Sequence, residues 1–106
     1  MRKSVLIMLS TVSIASNAST WQGKVETIEV RSTSPVVLFR LSGELKDSPR
    51  CNETGMYAID STLPGGRIAL DLLRSAYESK RNVMAQGLNA CSVHFESEGV
   101  KTISFE

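Results

Sequence analysis

The sequence predicts a small, mainly β domain with one helix. Its five short strands follow the order β-β-β-α-β-β, and one disulfide ties them together. Three observations carry this. Short runs of β-branched and aromatic residues recur between breaks rich in Gly, Pro and Ser. One stretch, PGGRIALDLLRSAYES at 64–79, repeats apolar residues at helical spacing. Cysteine occurs only at Cys51 and Cys91.

The first 18 residues set the expected compartment. Arg2 and Lys3 supply a positive start, and Ser4–Ala15 (SVLIMLSTVSIA) an apolar run of signal-peptide length. Ser16-Asn17-Ala18 places small residues where a signal peptidase reads them, so cleavage is expected after Ala18. The run is too short and too rich in Ser and Thr to span a bilayer. The chain then divides into a signal peptide, 1–18, and a single domain, 19–106. It is expected to be exported, to the periplasm or beyond, with no membrane span after cleavage. Of 106 residues, 88 remain. Losing Arg2 and Lys3 leaves 10 basic residues against 11 acidic ones. That balance gives no nonspecific grip on nucleic acid or anionic membrane.

In an oxidising compartment, two cysteines and no third form one intramolecular bridge. The bridge closes a loop of 41 residues, counting both cysteines. In the chain-entropy model that is worth roughly 4 kcal/mol. A chain of this size has only about 5–10 kcal/mol of stability, so the bridge is a large share. The alternatives are two buried thiols or a metal-binding pair. His94 is the only histidine, and zinc wants four ligands.

The elements follow in order. Trp21–Arg31 (WQGKVETIEVR) is a strand whose alternation slips: Trp21, Gly23 and Val25 share one parity, Ile28 and Val30 the other. A slip of this kind places a bulge or bend near Glu26–Thr27, so one long bent strand can serve two halves of a barrel. Pro35–Leu41 is the second strand, with Val37, Phe39 and Leu41 expected inward because Arg40 belongs to the other set. Polar Gly43–Asn52 reads as a loop. Met56–Asp60 is the third strand.

The helix stripe is Ile68, Ala69, Leu72, Leu73, Ala76 and Tyr77. Ser61 or Thr62 is the expected cap. Pro64 suits the first turn, although Gly65 and Gly66 would delay the start to near Arg67. The opposite face carries Arg67, Asp71, Arg74, Glu78 and Arg81, spaced to pair with one another. Asn82–Leu88 is the fourth strand. Glu98-Gly99 is expected to turn into the last, Val100–Phe105, with Ile103 and Phe105 inward. Five strands with a helix between the third and fourth match the OB-fold, a five-stranded, partly open Greek-key barrel; a generic α+β sandwich is the alternative.

Several stretches resemble a family. These are TWQGKV, a cysteine ahead of GMYAID, PGG leading into LLRSAY, and NVMAQGLNACS. Together they resemble small exported proteins of Gram-negative bacteria. More distantly they are similar to the OB-fold B subunits of secreted toxins, of the subtilase cytotoxin type. Trp21, Gly87-Leu88 and Cys91 stand in corresponding places. The resemblance implies glycan binding and a ring-shaped homo-oligomer, but it assigns no sugar-contacting residue to this chain.

The chemistry-bearing residues are few. His94, Glu96 and Glu98 alternate in HFESE. An extended backbone would set them on one face, where an imidazole and two carboxylates suit a divalent metal. A polar strand edge or loop explains the same pattern. Trp21 and Tyr57 are candidate ligand-binding aromatics, with packing as the alternative; Tyr77, on the apolar stripe, is expected in the core. Six aromatics and near-neutral charge argue against single-stranded nucleic acid. No cofactor is implied. The expectation is a noncatalytic binding module for a glycan, peptide or partner protein, with a small metal-dependent hydrolase using His94, Glu96 and Glu98 as the alternative.

Overall fold

The computed structural model describes residues 18–106. The expected signal at 1–18 therefore lies outside the described residues, except for Ala18. The elements are β1 (Thr20–Val30), β2 (Val36–Leu41), β3 (Tyr57–Asp60), α1 (Pro64–Ser79), β4 (Asn82–Gly87) and β5 (Glu98–Phe105). Around the sheet the strands run β1-β2-β3-β5-β4, and β4 returns to β1. All neighbours are antiparallel except β3 and β5. That parallel ladder is short, with Tyr57 opposite Glu98 and Ala58 opposite Gly99. The strands thus form a ring with one weak seam rather than an evenly bonded barrel. A cleft of about 330 Å³ opens at the seam, lined by Ile59, Leu63, Leu88, Val93 and Val100 among others.

The ring closes because β1 changes partner midway. Thr20–Lys24 pair with β4, and Val25–Val30 pair with β2. The register shifts between Val25 and Thr27, leaving Glu26 unpaired. This is the bulge the slipped alternation predicts. Gly23 eases the turn from one partner to the other. Its φ is 153°, and a Cβ there would press on the Gly43 nitrogen and the Ser42 hydroxyl, each 2.6 Å away. Any side chain would push apart the crossing of β1 over the end of β2.

Trp21, Val25, Phe39, Leu41, Tyr57, Ile59, Val83 and Ala85 fill the ring, with Leu73 and Ala76 of α1 beneath. Ile103 and Phe105 pack on this core while half-buried. Leu38 is a difference from expectation. It points away from Phe39 yet is buried, in a second cluster with Met56 and Ala58 that Val36 and Val93 cover. Both faces of β2 are therefore apolar, which explains its nearly unbroken VVLFRL.

The helix begins at Pro64 rather than near Arg67. Gly66 is tolerated because its bare Cα sits against the Asp60 carbonyl, where a Cβ would collide. Neither Ser61 nor Thr62 caps the helix; the N-cap is Leu63, extended and without a side-chain bond. Both hydroxyls are used elsewhere. Ser61 donates to the Pro35 carbonyl at 2.7 Å and Thr62 to Asp60 at 2.6 Å. The Thr62 hydroxyl, and then its N–H, hold the Asp60 carboxyl below its ordinary range.

The buried line of the helix is Leu73 and Ala76, flanked by Ala69. Ile68 and Tyr77 are 67% and 53% exposed, against expectation. Small residues let the helix sit close, so the large ends of the stripe fall outside the contact. Of the charge pairs expected on the outer face, the described structure forms Asp71–Arg74, at 3.9 Å and well exposed, which contributes little. Arg81 instead stacks over the Phe105 ring, 4.1 Å from its centre.

The last strand starts at Glu98, so Glu98-Gly99 is not a turn. Cys51 and Cys91 are bridged, with Cα atoms 6.1 Å apart. The bridge joins the loop before β3 to the loop after β4. Thr54 and Ser97 hydroxyls meet at 2.5 Å, and the Glu53 and Thr54 N–H groups donate to the Glu96 carbonyl at 2.9 and 3.0 Å. This clamp holds Val93 over Leu38, Met56 and Ala58.

Replacing both cysteines with serine should lower stability by roughly 4 kcal/mol, measured as a fall in the urea midpoint. Hydrogen exchange should accelerate first in residues 89–97, because that segment loses its tether while the ring keeps its ladders.

Candidate functional site

A groove of about 570 Å³ lies over the outward face of β1 and β4. Strand register builds it. Thr20 stands opposite Gln86, and Gln22 opposite Met84, so their side chains form two neighbouring rows. On β5, Thr102 and Ser104 continue those rows beside Gln86 and Met84. The Thr102 hydroxyl donates to the Gln86 amide oxygen at 3.4 Å. Glu44 and Lys46, from the loop after β2, make the remaining wall. That wall is fixed by main chain: Thr20 and Lys46 exchange N–H···O bonds of 3.1 and 3.0 Å.

Trp21 lines the floor of this groove but is only 4% exposed. Its indole N–H donates to the Gly43 carbonyl at 2.6 Å, and its ring meets Tyr57 edge-on, 5.2 Å between centres. The expectation of an open stacking tryptophan is therefore corrected: the ring is core, and an edge of it reaches the groove. Its N–H is the reason. A buried indole needs an acceptor, and the close crossing of β1 over Gly43 supplies one.

Tyr57 is corrected likewise. It is fully buried, stacked edge-on against Phe39 at 5.7 Å, and offers no face to a ligand. Its hydroxyl lies 2.6 Å from the Ser19 hydroxyl, which donates to Glu98 Oε1 at 2.7 Å. Ser19 has one proton to give, so Tyr57 donates to Ser19. The Asn89 N–H donates to Glu98 Oε2 at 2.9 Å. Gly87 makes room, since a Cβ there would strike both Glu98 and Ser19.

The metal candidates do not converge. Residues 94–97 form a turn closed by a His94–Ser97 bridge, so alternate positions do not share a face. Glu98 points into the core, while His94 is half-buried beside Phe95, which is 76% exposed. The His94 and Phe95 rings stack at 5.3 Å. Arg31 Nη1 approaches His94 Nε2 at 3.4 Å, and the Glu96 N–H approaches Nδ1 at 3.4 Å. An imidazole has at most one acceptor nitrogen, so at most one of these two contacts is a hydrogen bond. A guanidinium at the ring is a poor neighbour for a metal cation. Among the described residues, no group of three or more His, Cys, Asp or Glu is placed to hold a metal ion.

Sequence reasoning missed Gln22, Glu44, Lys46, Met84 and Gln86. The signal was the outward parity of the first and fourth strands, read once the two strands are paired. Comparisons with protein-family models, with characterised proteins and with solved structures find no match to this chain.

Burial pushes the Tyr57 phenol from about 10 up to about 12; the Ser19 hydroxyl opposes that rise and the Glu98 charge adds to it. The raised value means the fold selects the neutral phenol. An unfolded chain loses this proton near pH 10, while the folded chain holds it to about 12. Stability should therefore fall as pH rises through that window. Tyr57→Phe should abolish this decline and cost roughly 1 kcal/mol at neutral pH, as read by urea unfolding at a series of pH values.

Proposed function

We propose that this chain is an exported, noncatalytic binding module with an OB-fold, and that it takes a carbohydrate in the groove between β1, β4 and the wall of Glu44 and Lys46. The groove's chemistry carries this reading. Its polar lining is the Thr20 hydroxyl and the Gln22 and Gln86 amides, flanked by the charged Glu44 and Lys46, with Met84 and the edge of Trp21 as apolar floor. Sugar hydroxyls want directed neutral donors and acceptors, and sugar C–H faces want flat apolar contact. A peptide would add as a strand only at an open edge; in the groove β4 is paired with β1 on one side and β5 on the other, and the free side of β1 is met at Thr20 by Lys46.

The strand order β1-β2-β3-β5-β4, the shared bent β1 and the helix between β3 and β4 support the OB-fold. The Cys51–Cys91 bridge supports folding in an oxidising compartment. Hydrolysis through His94, Glu96 and Glu98 gains nothing from their scattered positions.

The exported protein should bind members of a glycan array and be titratable with them in calorimetry. Gln22→Ala and Gln86→Ala should each weaken binding about tenfold, while Phe95→Ser leaves it unchanged. Absence of any glycan binding, or loss caused by Phe95→Ser with the glutamine variants silent, would overturn the assignment.

A further inference from the structure

Glu98 is a fully buried acid. Its partners are neutral: the Ser19 hydroxyl on one oxygen and the Asn89 N–H on the other. Among the described residues it forms no ion pair. A buried carboxylate without a counter-charge costs several kcal/mol, yet Gly87, Ser19 and Tyr57 are all arranged to receive this one.

Ser19 is the telling neighbour. It is fully buried, and the Gly87 N–H holds its carbonyl at 3.0 Å. Its own main-chain nitrogen is separated by three covalent bonds from the hydroxyl that touches Glu98. Ser19 also immediately follows the cleavage point read from Ser16-Asn17-Ala18.

We propose that Glu98 is a binding site for an α-ammonium group, that of Ser19, which removal of residues 1–18 creates beside it. The inference rests on the export reading above. A peptidase adds water across the Ala18–Ser19 amide. The C–N bond breaks, the carboxylate leaves with Ala18, and the nitrogen keeps its hydrogen and gains two protons to become an ammonium. An α-amine ionises near pH 8, so it is charged at neutral pH and supplies the missing counter-charge. Before cleavage the same nitrogen is an uncharged amide and Glu98 lacks its partner. Removal of the leader thus completes the core electrostatically, and the processed chain is more stable than its precursor.

The test compares two disulfide-bonded chains, each with Glu98 and with Glu98→Gln. One starts at Ser19, released from a fusion by a protease that leaves no extra residue. The other starts at Ser16, which displaces the charge by three residues. With Glu98 present, the Ser19 form should have a folding constant about tenfold larger, and Glu98→Gln should erase that advantage. Equal stabilities, or an advantage that survives Glu98→Gln, would overturn the proposal.

Should Glu98→Gln not fold, acylation of the Ser19 amine in the native chain gives the answer. It should be at least about tenfold slower folded than in urea, and equal rates would overturn the pairing. Intact mass of the full chain after export tests the processing step by itself. A start other than Ser19 removes cleavage from the inference, and the first comparison still decides whether Glu98 holds an ammonium.

Discussion

A single strand holds membership of both halves of the ring, and the geometry at its middle decides whether the ring can close. β1 pairs with β4 over its first five residues and with β2 over the rest. Two devices make the change of partner feasible. The unpaired Glu26 lets the ladder shift and twists the strand. Gly23 lets the backbone of β1 press against Ser42 and Gly43. Were β1 straight, its inward residues would line one sheet only, and β4 and β5 would be left with an open edge. The core depends on the same crossing. Trp21 finds its acceptor on Gly43 because the chains touch there, so the largest side chain in the ring is oriented by the bend.

A second constraint is polar. Tyr57, Ser19 and Glu98 form a directed chain of hydrogen bonds in the interior, ending on the Asn89 N–H. Such a network contributes to stability only when every member is satisfied. It sits at the weak parallel seam, where Tyr57 stands opposite Glu98. Backbone pairing is shortest there, and side-chain bonds take over part of the joining of β3 to β5. This also explains why β5 begins two residues earlier than composition suggests. Glu-Gly reads as a turn to water, but the carboxylate is held from inside and Gly99 packs against Leu88 and Val93.

The β-rich character, the helix and the disulfide were legible because each has a local signature: alternation, a 3.6-residue stripe, and a single pair of cysteines. The bulge was legible because parity is a local property of β1. What escaped needed knowledge of neighbours. Periodicity marked Ile68 and Tyr77 as helix interior, but only contact with the ring shows that Leu73 and Ala76 do the burying. The Ser61 and Thr62 hydroxyls are good caps in isolation, and Pro35 and Asp60 compete for them. His94, Glu96 and Glu98 looked like one row only for as long as the backbone was taken as extended. The groove had no local signature, because its residues come from three segments brought together by register.

The placement of that groove follows from what covers the rest of the ring. On the β2–β3 side, Leu38 and Ala58 face outward and are roofed by Val93, on the segment tethered through Cys91. A ligand there would have to displace an apolar cover held by a covalent tie. The end beneath the core is closed by α1 through Leu73 and Ala76. The outward face of β1, β4 and β5 remains, and Thr20, Gln22, Gln86, Thr102 and Ser104 make it hydroxyl- and amide-rich. A sheet face meant only for water is served as well by charged residues, which hinder association. Side chains that form directed neutral hydrogen bonds, set over a tryptophan locked in place by Gly43, give that face a fixed pattern of donors and acceptors. A rigid platform of this kind loses little conformational freedom when a polar ligand settles on it, which is the physical ground for reading it as the binding surface.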